Sequence, residues 1–306
     1  MEMKKWLLES RPQFLMLAVV LVLHGSALTY WQGAFSWVRF LLALAGLMLM
    51  HGSVNMLNDW HDYQKSGIDK VIRQTPFSGG SGQLPRGEMT PREALIEGIV
   101  WLSMGAAIGF YLAWDLFRQQ PGGGWPLLAI GLAGVFIIAI YTPVALRIGI
   151  GEVLAGAGLG LMPVLGVYYL HTLGLNAAAW WSALPSFFLT YNLLFLNEFP
   201  DWQADKAGNR KHVVILLGPK TARWWYIVIE LAAFGAIVVG VVLGVLTPWA
   251  LLGLGGLVPA VQAIRGALAN YDRFEELFPA MGANVMAVLA TNALLAVGYL
   301  VAALLG

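Results

Sequence analysis

The chain has 306 residues, of which 58% are hydrophobic and only 11% are charged, and its mean hydropathy is +0.69. Soluble domains are about 45–50% apolar and about 25% charged, so this composition indicates a membrane protein. The net charge of +1 gives no sign of a nucleic-acid partner, and the lack of cysteine excludes disulfides, thiolate metal sites and cysteine nucleophiles.

Nine stretches are long and apolar enough to cross a membrane, since a spanning helix needs roughly 20 mostly apolar residues. We expect helices rather than strands, because few stretches alternate apolar with polar residues and because a lipid-exposed backbone must satisfy its own hydrogen bonds. The charged start, MEMKKWLLESRPQF, lacks a signal-peptide cleavage pattern, so the first apolar run is predicted to be a retained span. The predicted spans are 13–32, 35–58, 93–115, 125–145, 150–171, 178–199, 221–245, 247–268 and 280–305.

The distribution of basic residues supports this count independently. If the N-terminus is cytoplasmic and each span reverses the side, 16 of the 18 basic residues fall in cytoplasmic segments, and only Arg39 and Arg118 do not. Lysine and arginine concentrate in short cytoplasmic loops of membrane proteins. We therefore predict an integral protein of the plasma or inner membrane, with its C-terminus outside.

Two polar clusters follow apolar spans on the predicted cytoplasmic side. The first is NDWHDYQKSGID, residues 58–69, and the second is NEFPDWQADKAGNRK, residues 197–211. Asn58 and Asp62 are four residues apart, and so are Asn197, Asp201 and Asp205, so each set shares one face of a helix.

Acidic side chains grouped at a membrane boundary repel one another, and their burial is costly unless a cation pairs with them. Mg²⁺ prefers oxygen ligands and typically binds one or two carboxylates together with substrate phosphates. Two such clusters suggest two Mg²⁺ ions bridged by one diphosphate. For each cluster alone, solvation of a loop or capping of a helix is the alternative.

Basic residues follow both clusters and are candidates for binding diphosphate oxygens, although positive-inside bias alone would place some of them there. The Gly/Ser-rich segment TPFSGGSG could cradle phosphate with its backbone N–H groups or could serve as a flexible linker. The basic candidates are Lys65, Lys70 and Arg73 after the first cluster, and Lys206, Arg210 and Lys211 after the second.

The two motifs, with TPFSGGSG between them and YTPVALRIGIGE further along, resemble the UbiA superfamily of intramembrane prenyltransferases, closest to its menaquinone-type branch. The resemblance covers nearly the whole chain. It implies an all-α, polytopic fold, with nine transmembrane helices around a central cavity, a cytoplasmic cap, and one domain over residues 1–306. The implied reaction is Mg²⁺-dependent transfer of an isoprenyl chain from a prenyl diphosphate to an aromatic acceptor such as 1,4-dihydroxy-2-naphthoate.

The resemblance also implies roles for individual residues. The implied metal ligands are Asn58, Asp62, Asp201 and Asp205, with Asp59, Asp69 and Asn197 as further candidates; Tyr141 and Arg147 are expected near the diphosphate.

Two positions depart from the family pattern. Ser66 stands where some branches have a third aspartate, and His212 lies in KHVVILLG, where a Lys-Arg-Thr-Leu-like run is more usual.

Other residues receive weaker expectations. Candidates for shielding an allylic cation by cation–π contact are Trp60, Tyr168, Tyr169, Tyr191 and Phe195, each of which could equally serve packing. His24, His51 and His171 are expected to be satisfied within helix packing, and no role is predicted for Glu230.

Two alternatives to this function remain at this level. Within the family, the acceptor could be a benzoate, a porphyrin or a glycerol phosphate, or the enzyme could cyclise its substrate without an acceptor. From another class, an ion-coupled transporter would use acidic groups at membrane depth, but these clusters lie at the membrane edge.

Overall fold

The computed structural model describes residues 2–66, 77 and 80–305, and within this part of the chain every regular element is helical. The helices are α1 (Glu2–Glu9), α2 (Pro12–Trp31), α3 (Trp37–His61), α4 (Pro91–Gln119), α5 (Gly124–Ile140), α6 (Leu146–Ile148), α7 (Gly151–Gly156), α8 (Met162–Thr172), α9 (Ala177–Ala207), α10 (Val213–Leu217), α11 (Pro219–Val242), α12 (Leu257–Asn270) and α13 (Phe274–Leu305). A 3₁₀ helix, Pro248–Gly256, leads into α12, and π-helical turns follow α3 (Asp62–Ser66), α5 (Tyr141–Ala145) and α7 (Ala157–Leu161).

Local sequence explains where several helices begin. Thr90 caps α4: its hydroxyl accepts a hydrogen bond from the N–H of Glu93 at 3.2 Å, and the Glu93 carboxylate accepts one from the N–H of Thr90 at 2.7 Å. This reciprocal capping box satisfies two N–H groups that the helix leaves open. Proline occupies the first turn of α2, α4 and α11, where its missing N–H costs nothing.

The predicted all-α, polytopic fold class is confirmed, whereas the count of nine spans stays a prediction. Eight helical segments in the described chain are long and apolar enough to cross a membrane, and they match eight of the nine predicted spans. The remaining predicted span, 178–199, lies within α9, which has 31 residues and is long enough to cross. Its composition is less apolar than that of the other eight, because α9 carries buried Ser182, Ser186, Thr190 and Asn192.

Those polar residues join α9 to its neighbours inside the bundle. Ser182 contacts His24 of α2 at 2.7 Å and Tyr299 of α13 at 2.7 Å, and His24 contacts Asn292 at 2.9 Å. Asn192 donates a 2.7 Å hydrogen bond to Glu230 of α11. Interhelical hydrogen bonds of this kind hold membrane helices together. The expectation for His24 is confirmed, and Glu230 acquires a packing role.

The helices pack so that a cavity remains between them. α9 contacts α7, α11 and α13; α2 contacts α8 and α13; and α3 contacts α4. The largest apolar core lies among α2, α8, α9, α11 and α13 and includes Leu21, Leu28, Ile237 and Tyr299. α5 is the least buried of the spanning segments. The cavity lies between this core and the outer helices α3, α4 and α5.

The two ends of α3 carry side chains of opposite charge. At its start Arg39 pairs with Asp115 of α4 at 2.9 Å and donates a hydrogen bond to the carbonyl of Leu170 at 3.0 Å. At its other end, about 35 Å away for 23 residues of helix, lies Asp62. The ion pair with Asp115 explains how Arg39 can lie apart from the other basic residues, because its charge is neutralised locally.

Candidate active site

The first polar cluster lies where α3 gives way to a π-helical turn. Thr142 donates a 2.7 Å hydrogen bond to the Asn58 side-chain oxygen, and the Asn58 amide donates one of 3.3 Å to Asp62. π-Helical segments are rare and often mark functional sites. Two of the three described here begin at Asp62 and Tyr141, and both residues line the cavity.

The second cluster lies at the end of α9. Asn197, Asp201 and Asp205 all line the cavity, as their four-residue spacing predicts for one helix face. Asn197 donates a hydrogen bond of 3.3 Å to the carbonyl oxygen of Phe77. Pro200 lies inside this part of α9 and removes one backbone hydrogen bond just before Asp201.

One arginine connects the two clusters. Arg210 Nη1 donates to Asp205 Oδ1 at 3.1 Å, and Arg210 Nη2 contacts Asp62 Oδ1. Burial lowers the pKa of Arg210, but the Asp62 and Asp205 carboxylates outweigh burial and raise that pKa above its ordinary value. A single guanidinium reaches both carboxylates, so the two motifs lie at the same end of the bundle and close enough to share one cation.

The cavity that begins at these residues has a volume of about 710 Å³. Its remaining wall is mostly aliphatic and comes from α3, α4, α5 and α8, with further residues from α2 and α13. A polar end joined to a long apolar chamber suits a ligand with a charged head and a hydrocarbon tail.

Residues 18–277 match the sequence model of the UbiA prenyltransferase family. The chain belongs to the UbiA prenyltransferase family. It is therefore an enzyme embedded in a membrane, and the transporter alternative is excluded.

Several UbiA relatives with assigned names are similar to this chain over most of its length. The 1,4-dihydroxy-2-naphthoate octaprenyltransferase of Bacillus subtilis is 28% identical, over 85% of this chain and 81% of the relative. The enzymes of the same name from Escherichia coli and Mycobacterium tuberculosis are 26% and 27% identical, over 96% and 93% of this chain and 94% and 93% of their own lengths.

Solved structures of archaeal UbiA homologues share the fold. The apo structure from Aeropyrum pernix aligns with a TM-score of 0.67 at 15% identity, over 90% of this chain and 95% of that one. The Archaeoglobus fulgidus homologue bound to GPP and Mg²⁺ aligns with a TM-score of 0.62 at 15% identity, over 95% and 99%.

The donor atoms of this UbiA site fit a hard divalent cation. The side chains that converge on the polar end from α3 and α9 offer carboxylate and amide oxygens, which are the ligands that Mg²⁺ prefers. Arg210 already holds two of these carboxylates with its positive charge, so the arrangement is one that cations stabilise.

Other predicted site residues lie elsewhere. Asp59 is buried beside the cavity wall and accepts a 2.6 Å hydrogen bond from the N–H of Ser81, whose hydroxyl donates to Glu9. Burial, together with the nearby Asp59 carboxylate, raises the pKa of Glu9 to about 8. Asp59 and Glu9 thus hold the loop around Ser81 through these two hydrogen bonds. The exposed Lys65, Arg147, Lys206 and Lys211 are absent from the described cavity lining, and Asp69, Lys70 and Arg73 lie outside the described residues.

The aromatic candidates also differ from expectation. Within the described lining, the aromatic residues are Phe14, Phe77, Phe110 and Tyr141. None of the five predicted aromatics contributes to this lining. Tyr168, Tyr191 and Phe195 belong to apolar cores, the Tyr169 hydroxyl donates to the carbonyl of Gly123, and Trp60 packs near the loop around Leu84.

Several cavity residues were not predicted as site residues from the sequence. Arg11 lines the cavity in a left-handed backbone conformation with φ of 55°, which is uncommon for a residue other than glycine and often marks a functional site. His51 and Asn55 precede Asn58 on α3, and their helical spacing from Asn58 was the feature of the sequence that could have placed them on the same face. Glu198 lies within the second motif, and only its burial distinguishes it from a solvated residue.

Proposed function

We propose that this prenyltransferase joins an isoprenyl chain from a prenyl diphosphate to an aromatic acceptor, 1,4-dihydroxy-2-naphthoate, with the help of two Mg²⁺ ions. The observation that carries the proposal is the contact of one guanidinium, that of Arg210, with both Asp62 and Asp205 at the head of an apolar cavity. The names of the bacterial relatives support this acceptor, and on that basis we propose a role in menaquinone biosynthesis.

The residues that would hold Mg²⁺ are Asn58 and Asp62 from α3 and the turn after it, and Asp201 and Asp205 from α9. When bound, Mg²⁺ would neutralise the negative charge that develops on the diphosphate as its bond to carbon breaks. Asn197 lies one turn before Asp201 on the same face and adds an amide oxygen to this end of the cavity.

Arg210 has a second task in this scheme. In the structure its two terminal nitrogens hold Asp62 and Asp205. With metal ions on those carboxylates, the guanidinium would be able to bind diphosphate oxygens, for which its planar fork is well suited. Arg210 therefore serves both the substrate-free enzyme and the developing leaving group.

The apolar wall controls the fate of the allylic cation. When the carbon–oxygen bond breaks, its electron pair leaves with the diphosphate and the isoprenyl carbon becomes electron-poor. An electron pair from the acceptor ring then forms the carbon–carbon bond, and the ring restores its aromaticity by losing a proton or, in the naphthoate reaction, its carboxylate as CO₂. Aliphatic side chains around the tail exclude water, which would otherwise capture the cation.

The purified protein in lipid nanodiscs tests this proposal directly. We expect Mg²⁺-dependent transfer of a labelled prenyl group to dihydroxynaphthoate, identified by product mass, and loss of the reaction when the ion is chelated. Parallel reactions with 4-hydroxybenzoate and a glycerol phosphate test the other acceptors, since a digeranylgeranylglyceryl phosphate synthase is also 24% identical, over 72% of this chain and 71% of that relative. Transfer to either compound in preference to dihydroxynaphthoate would contradict the proposed acceptor.

We also propose that the active-site end and the N-terminus face the cytoplasm, with the C-terminus outside. The chain has no cysteine, so single cysteines report accessibility without background. Cysteine at exposed Lys206 should react with an impermeant maleimide only in inside-out vesicles, and cysteine at exposed Leu304 only in right-side-out vesicles. The reverse pattern would refute the orientation.

A further inference from the structure

Three buried titratable residues form a cluster beside the proposed diphosphate site. Glu152 lies in the first turn of α7, Glu198 lies on α9 and His212 follows α9, and their exposed fractions are 1%, 5% and 1%. One carboxylate oxygen from each glutamate and one ring nitrogen of the histidine all lie within 4.8 Å of one another. Glu198 and His212 both line the cavity. The mechanism described so far uses none of the three.

Within the described residues, Glu152 accepts a hydrogen bond, whereas His212 lies beside two carboxylates without a hydrogen bond to either. Glu152 accepts a 2.7 Å hydrogen bond from the N–H of Val213, which anchors the start of α10. His212 lies between two carboxylates, with Nδ1 3.4 Å from Glu198 and Nε2 3.3 Å from Asp205. His212 therefore links the cluster to the second aspartate motif.

The polar neighbour of Glu198 from the next segment is His212, whose Nδ1 lies 3.4 Å from Oε2. Within the described part of the chain, neither carboxylate oxygen of Glu198 accepts a hydrogen bond. The Glu152 carboxyl group lies beside it, and two carboxylates in contact repel each other unless a donor lies between them. A buried acceptor left without a donor is destabilising. A ligand that brings a hydroxyl group into the cavity would supply that donor.

We infer that Glu198 is the subsite for the aromatic acceptor and that it accepts a hydrogen bond from a ring hydroxyl. This inference rests on the proposed function, because it assigns the acceptor to one side of the same cavity. The contact of His212 with both Glu198 and Asp205 places such a ring one side chain away from the diphosphate-binding motif. The ring carbon would thus lie beside the carbon from which diphosphate departs.

The hydrogen bond would also activate the ring. A hydroxyl that donates to a carboxyl oxygen shifts electron density from its own oxygen into the ring, which makes the attacking ring carbon a better nucleophile. The low polarity of the cavity strengthens this interaction. No covalent bond to Glu198 forms, and the hydroxyl proton stays with the acceptor. Glu198 is a catalytic residue in this scheme, and His212 is a positioning residue that orients it.

A bound metal is the competing use of these three side chains. Zinc would require several of them as ligands about 2.0–2.2 Å from the ion. Glu152 Oε1 is already bound to the Val213 N–H, and each His212 nitrogen faces a carboxylate, so among the three residues Glu198 is the one with neither side-chain oxygen hydrogen-bonded in the described structure. This arrangement favours a hydrogen-bond donor over a metal.

Substitution of Glu198 tests the inference with a matched pair of acceptors, the dihydroxynaphthoate and its O-methyl ethers. For Glu198→Ala, we expect kcat/KM for the hydroxylated acceptor to fall roughly tenfold to a hundredfold, the loss that follows when a buried hydroxyl is left without its hydrogen-bond acceptor. The preference for hydroxyl over ether should disappear, whereas KM for the prenyl diphosphate should stay unchanged. Glu198→Gln, which keeps the shape and one oxygen acceptor, should fall between wild type and Glu198→Ala and shows whether the site still folds.

Glu230→Gln is the matched control, because Glu230 is also fully buried and hydrogen-bonded but does not contribute to the described cavity lining. It should keep the acceptor preference. An unchanged preference in both Glu198 variants would overturn the inference. The inference would also be overturned if mass spectrometry found a bound metal in the purified wild type and none in Glu198→Ala. If the wild type transfers no prenyl group to any aromatic ring, the proposed function fails rather than the role of Glu198 alone. Release of diphosphate without any acceptor would show that the protein is active but does not use an aromatic acceptor.

Discussion

Replacement of Arg210 by alanine tests the arrangement that joins the two aspartate motifs. In the structure Arg210 makes two charged contacts, one to Asp62 and one to Asp205. If both re-form on diphosphate oxygens in the transition state, at about 1.5–3 kcal/mol each, their loss is worth about 3–6 kcal/mol. That loss corresponds to roughly a 10²–10⁴-fold decrease in kcat/KM, measured by diphosphate release at saturating Mg²⁺.

The same substitution should make stability depend on Mg²⁺. Without the guanidinium, Asp62 and Asp205 remain buried and lose the arginine charge that they share, at a cost of about 3–5 kcal/mol. We expect the Tm of Arg210→Ala to fall in chelator and to recover largely when Mg²⁺ is added, because the cation then neutralises both groups. Differential scanning fluorimetry with and without Mg²⁺ measures both effects.

Arg39→Ala is the matched control for this experiment. The side chain of Arg39 is 14% exposed, against 15% for Arg210, and Arg39 also pairs with an aspartate, but at the opposite end of α3. The Arg39→Ala substitution should lower Tm, and added Mg²⁺ should not restore it. Turnover should stay at the wild-type level. Wild-type turnover in Arg210→Ala at saturating Mg²⁺ would refute the role given to this arginine.

The remaining predictions concern the polar head and the apolar wall of the cavity. Asp62→Ala or Asp201→Ala should abolish turnover while membrane insertion, checked by fractionation, is retained; full activity would remove that residue from the metal site. Gly109 of α4 lines the cavity, and a Cβ there meets nothing within 4 Å. Gly109→Leu should therefore fill the chamber and lower kcat/KM for long prenyl donors more than for short ones. Gly235→Leu, equally unobstructed but on exposed α11 surface, should not change that ratio.

Three features of the enzyme follow from short-range patterns in the sequence. Runs of apolar residues predicted the spanning helices, since a helix in lipid satisfies its own backbone hydrogen bonds. Four-residue spacing predicted that Asn197, Asp201 and Asp205 share a face, because helix geometry fixes that relation locally. The segregation of basic residues placed both acidic clusters at one end, and the Arg210 bridge between Asp62 and Asp205 agrees with this placement.

Only the tertiary structure decided which members of those patterns face the cavity. Among the basic candidates it brings Arg210 to the carboxylates and leaves Lys206 and Lys211 exposed; it turns Asp59 towards Ser81; and it joins Glu198 to residues from distant segments. These outcomes depend on how each helix is rotated about its axis and on where π-helical turns redirect side chains. Rotation is set by packing between helices far apart in sequence, so it cannot be read from any one segment.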